Sequence, residues 1–172
     1  SFDMGQELAE MDGIEVGRVV INDDVAVKDS LYTVGRRGVA GNFFVMKACG
    51  AASEEGKNLQ ELVSIGNQVV EVTRTMGMAL TGCTPPAKGT PIFELTEDEM
   101  EIGIGIHGEP GRKRVPLAPA NKIVDELFEA VANDLPYKEG DEVALMINGM
   151  GGTPVSELYI LYGHAHELCE KR

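Results

Sequence analysis

A neutral imidazole can add to a carbonyl carbon, accept a proton or bind a metal, and His107 has surroundings suited to such work. It follows Glu99 to Ile106, EMEIGIGI, and precedes Gly108, Glu109, Pro110 and Gly111. Gly103, Gly105 and Gly108 leave space beside the ring for a small substrate, and the Gly and Pro run after it predicts a place at the rim of a sheet. These residues alone leave a reacting histidine and an incidental one both open, because one imidazole does not complete a site.

The other candidates are weaker. His164 and His166 stand i,i+2 on a predicted helix, so they point in different directions and lack the HExxH spacing of a zinc pair; surface or helix-end positions are expected. Cys49, Cys83 and Cys169 are odd in number and have no CxxC spacing, which predicts reduced thiols in a cytoplasmic protein, with Cys83 a small buried thiol. Asp23, Asp24 and Asp29 could offer oxygens to a metal, but their spacing is not that of a calcium loop; capping a helix or pairing with Arg36 and Arg37 is the expected use. Arg36 and Arg37, between Gly35 and Gly38, could also hold an anion at a helix start, although the fixed P-loop pattern is missing. Arg112, Lys113 and Arg114 form the main basic cluster, read as a solvated or partner-facing loop, with phosphate contact and pairing to carboxylates as alternatives.

Elements must position these groups. Met100, Ile102, Ile104 and Ile106 alternate with Glu101, Gly103 and Gly105, the period of a strand with one packed face. A helical stub is predicted over residues 4–12, a strand over 15–21, a small-residue helix over 38–52 and an amphipathic helix over 58–76 capped by Asn58 with Glu61 three residues on. Residues 77–83 return to extended character before a proline-rich connection. A second amphipathic helix is expected over 121–135, a strand over 141–148, and a glycine turn at 149–154, suited to a ligand or to close packing, leads into a helix reaching about Glu170. The alternation predicts an α/β fold with a mixed sheet core, and a composition shift near residues 116–121 suggests a seam between 1–115, the end of a first domain carrying the His107 strand, and 116–172, the beginning of a second domain or a segment packing onto it.

A formal net charge of −13 with only 15 Lys and Arg opposes general nucleic-acid binding. The 21 glycines sit at element ends without a repeat, which excludes collagen-like and linker readings. No apolar run reaches the length of a membrane span and no leader is seen, so a cytoplasmic protein without membrane contact is expected.

Three stretches, INDDVAVKDSLYTVGRRGVAGN, EMEIGIGIHGEPG and MINGMGGTPVSELY, in this order, closely resemble the dihydroxyacetone kinase substrate-binding subunit family from about residue 14 onward. The resemblance implies that His107 binds dihydroxyacetone covalently as a hemiaminal at C2, with Gly105 and Gly108 beside it, and presents a terminal hydroxyl for phosphorylation. It implies a homodimer that binds no nucleotide or metal itself and receives phosphate from a separate kinase subunit carrying ADP and Mg, in a phosphotransferase-dependent system. A regulatory paralogue that captures the ketone without phosphoryl transfer, and the substrate module of an ATP-dependent single-chain kinase, are the alternatives. The family's GGGSGHEP segment and its base aspartate have no counterpart here, so the chain is expected to be an internal fragment, inactive alone, in which Asp23 and Asp24 do not replace that base.

Overall fold

Glu99–Ile102 forms the middle strand of a three-stranded antiparallel sheet because its alternate apolar side chains have a core to enter. The computed structural model describes residues 2–27, 35–106, 109 and 111–172. Its elements run α1 (Phe2–Met11), α2 (Gly41–Glu54), α3 (Leu59–Glu71), β1 (Met78–Ala79), β2 (Glu99–Ile102), β3 (Lys113–Pro116), α4 (Ala120–Ala132) and α5 (Val155–Lys171). The fold is α/β, as the alternation of periods predicts. β1 pairs with β2 through Met78 and Ile102, and β2 with β3 in a register that sets Met100 opposite Val115. A parallel bridge between Asp24 and Thr75 adds a second backbone junction.

The core centres on Met100 and Ile102, 2% and 1% exposed, with Ile123 of α4. Met76, Met78, Val115, Ala118 and Leu127 close around them. Beyond the strand Ile104 stays buried while Ile106 is 40% exposed, so the packed face ends at the sheet's rim.

The expected helices form, but α3 stops at Glu71 rather than Met76 and α4 at Ala132 rather than Leu135, the chain after α3 leaving the helix to bridge Thr75 to Asp24. Asn58 accepts a hydrogen bond from the Glu61 amide and the Glu61 carboxylate accepts one from the Asn58 amide, a reciprocal cap at the start of α3. α2 packs on α3, and α4 on α5. α1 forms, but Met4, Leu8 and Met11, expected to share a packed face, are exposed among the described residues.

Two expected strands are corrected. Residues 15–21 and 141–148 take no ladder partner among the described residues, and an extended apolar segment becomes a strand only when another backbone lies alongside it. The first instead lies along α3 through glycine contacts. A Cβ on Gly17 would come within 2.5 Å of Val63, and one on Gly66 within 2.8 Å of Val19. No helix among the described residues is long and apolar enough to cross a membrane.

Arg36 and Arg74 converge on Asp134 at the end of α4, both at 2.6 Å. The Arg36 hydrogen bond, opposed by burial and aided by Arg74, holds the Asp134 carboxyl down at about 2.

Ile102→Ala is expected to cost about 3 kcal/mol in urea unfolding, since the side chain is enclosed on all sides. Asp134 makes a second, pH-dependent contribution. Its folded pKa lies below the ordinary 3.8, so its stabilisation is present above that value and is lost as pH falls toward about 2. Urea unfolding between pH 5 and 2.5 should show the parent losing on the order of 1 kcal/mol more than Asp134→Asn.

Candidate hairpin-tip site

β2 and β3 are the two arms of a hairpin, and the chain between Ile102 and Lys113 is its tip. His107, Gly108 and Pro110 lie outside the described residues; Gly105 and the flanking backbone do not. That backbone is held at several points. Gly103 adopts φ +80°, a region that favours glycine. Its amide donates to the Gly77 carbonyl at 2.6 Å, and its own carbonyl accepts from Arg37 Nη2 at 2.7 Å. The Arg112 amide donates to Ile102 O at 2.6 Å, and the Gly105 amide to Glu109 O at 3.3 Å. The Gly111 amide donates to Glu101 Oε1 at 3.1 Å. Glu101 is buried and also accepts from Arg114 at 3.4 Å. A Cβ on Gly105 would overlap the Glu109 carboxylate, which explains why this position is small.

Beneath the tip lies a buried charged group. Asp23 and Asp24 are 0% and 1% exposed. Asp23 accepts from the amides of Val39 and Gly41, both at 2.8 Å, and so caps the first turn of α2 from outside the helix. Asp24 accepts from the Ala26 amide at 2.8 Å and from Arg37 Nε at 2.7 Å. Burial pushes the Asp24 carboxyl above its ordinary value, while the Ala26 amide and the Arg37 charge pull it back. Capping and arginine pairing are thus the uses these aspartates have; Asp29 lies outside the described residues. No cluster among the described residues could hold a metal ion.

Ile104, Gly105 and Ile106 also border a cavity of about 1850 Å³, walled by Met76, Met78, Leu127 and Leu158 among others. The glycine turn before α5 borders the same cavity through Gly149, Met150 and Thr153. That turn closes on itself, the amides of Gly152 and Thr153 both donating to Gly149 O at 3.1 Å.

Other sequence candidates are structural or apart. Lys113 pairs with Glu126 at 2.7 Å and Arg114 with Glu101, so both make the intramolecular pairs expected as an alternative while staying solvent-exposed, on β3 rather than in a loop. His164 is paired with Asp125 at 2.7 Å, tying α5 to α4, whereas His166 is exposed near Glu170. Cys83 is a free thiol and exposed, not buried, because the proline-rich connection holds it at the surface. What the residues did not disclose is the reach of Arg37 to Gly103, 66 positions away. A doubled arginine after a doubled aspartate predicts local pairing and carries no sign of a distant carbonyl.

Gly103→Ala is expected to destabilise the protein by about 2 kcal/mol, from the left-handed backbone and from a Cβ only 2.9 Å from that of Ala26. Gly163→Ala in α5, where an added Cβ meets nothing within 4 Å, should be neutral or mildly stabilising in the same thermal unfolding measurement.

A PTS-dependent dihydroxyacetone kinase 1, dihydroxyacetone-binding subunit DhaK, from Listeria innocua is 45% identical over 99% of this chain and 52% of its own length. A solved structure of the dihydroxyacetone kinase operon co-activator Dha-DhaQ superposes with a TM-score of 0.88 at 30% identity, covering 98% of this chain and 52% of that one. The native dihydroxyacetone kinase of C. freundii gives 0.84 at 29% identity, over 96% of this chain and 30% of that one. The chain thus spans about half the length of the curated relative it matches. The family model of the Dak1 domain matches residues 1–172, and the chain belongs to the Dak1 domain family.

Proposed function

We propose that this chain is the ketone-capturing part of a dihydroxyacetone kinase. One ring nitrogen of His107 adds to C2 of dihydroxyacetone, the other nitrogen gives up its proton, and the carbonyl oxygen becomes a hydroxyl. The adduct is a neutral hemiaminal, formed without oxidation or reduction. Glycerol has no carbonyl and is not captured, so selection follows reactivity as well as fit. Gly105 and Gly108 stand beside the ketone, and the adduct presents one terminal hydroxyl for phosphorylation to dihydroxyacetone phosphate.

The observation that carries this reading is 45% identity across nearly the whole chain to a relative named for binding dihydroxyacetone. The hydrogen-bonded backbone at Gly103, Gly105, Gly111 and Arg112 supports it, because capture needs a well-placed histidine. The phosphoryl group comes from a separate subunit that carries ADP and Mg, in a phosphotransferase-dependent system, and the full-length protein acts as a homodimer in the cytoplasm. Asp23 and Asp24 do not serve as the base for the accepting hydroxyl, since both carboxylates are committed to buried partners.

The likeness to an operon co-activator favours a second reading, in which the parent protein captures the ketone for regulation and transfers no phosphate. Phosphorylation of dihydroxyacetone by the full-length protein with its kinase subunit supports the first reading; capture without turnover supports the second.

Full-length protein incubated with dihydroxyacetone labelled at C2 should convert the ketone carbon signal in NMR to a tetrahedral one, and His107→Ala should abolish it. The same variant should raise KM for the ketone by about tenfold or more and narrow the preference over glycerol. Persistence of the tetrahedral signal in His107→Ala would sink the assignment.

A further inference from the structure

We propose that Arg37 is a positioning residue that sets the backbone of the hairpin tip, and through it the ketone affinity; this rests on the His107 reading. Arg37 is buried, and among the described residues its guanidinium meets a carboxylate and a backbone carbonyl at once. Nε and Nη2 meet Asp24 Oδ2 at 2.7 and 2.6 Å, and Nη2 also donates to the Gly103 carbonyl at 2.7 Å. Asp24 holds the Ala26 amide with its other oxygen, and the Ala26 methyl lies where a Gly103 side chain would stand. One ion pair therefore fixes both the floor under Gly103 and the direction of its carbonyl. Gly103 stands four positions before His107 in the sequence. A planar guanidinium spans carboxylate and carbonyl together; the single nitrogen of lysine keeps the charge without that span.

The test uses full-length Arg37→Lys, with Arg36→Lys as control because Arg36 lies on Asp134. Amide hydrogen exchange at Gly105 and Arg112 should quicken about tenfold in Arg37→Lys and stay unchanged in the control. KM for dihydroxyacetone should rise about tenfold while kcat stays within about twofold. Should Arg37→Lys fail to fold, Asp24→Asn loosens the same guanidinium and should give the same pattern. Unchanged exchange overturns the inference, and so does quickened exchange with unchanged KM. Absence of any ketone adduct in the unsubstituted protein sinks the capture reading instead, so the two failures are distinguishable.

Discussion

The peptide groups on either side of Gly103 are gripped from two directions, by the Gly77 carbonyl and by a guanidinium anchored on a buried carboxylate. A buried ion pair is costly to form, because both charges leave water, and it is tolerable here because each group has further hydrogen-bond partners. Its return is geometric. Asp24 and Thr75 bridge side by side, Gly77 follows two residues later, and Gly103 closes against it, so three remote segments meet at one point. The left-handed backbone of Gly103 then turns the chain out of the sheet toward the tip.

The rest of the molecule supports that junction. α2 is held to it by Asp23, whose carboxylate takes two amides at the helix start. α3 brings Thr75 into place and carries residues 15–21 on its surface through contacts that only glycine permits at Gly17 and Gly66. On the other side α4 seals the sheet with Ile123, and its end is tied back by Arg36 and Arg74. Neighbouring arginines thus serve different places, one the tip and the other the helix end.

Much of this was readable from local pattern. Asn58 and Glu61 announce the cap of α3, the spacing of Ile123, Val124 and Leu127 announces α4, and Met100 and Ile102 announce a packed strand. Each signal lies within a few residues of its effect. Pairing does not: residues 141–148 have the composition of a strand, but a ladder needs a neighbour that composition does not name. The same holds for Cys83, whose exposure follows from where its loop runs, and for Arg37, whose partner is set by tertiary folding. At the site itself, the glycines around His107 predicted a spacious tip, whereas Gly103 and Gly105 are small for backbone conformation and for the Glu109 carboxylate.

The separation along the chain between Arg37 and Gly103, 66 residues, has a kinetic consequence. A hairpin closes locally and fast, but a contact between distant segments waits until the intervening helices have docked and the loop entropy has been overcome. The arms of β2 and β3 can therefore zip early, while the grip of Arg37 on Gly103 waits for the helices between them to dock.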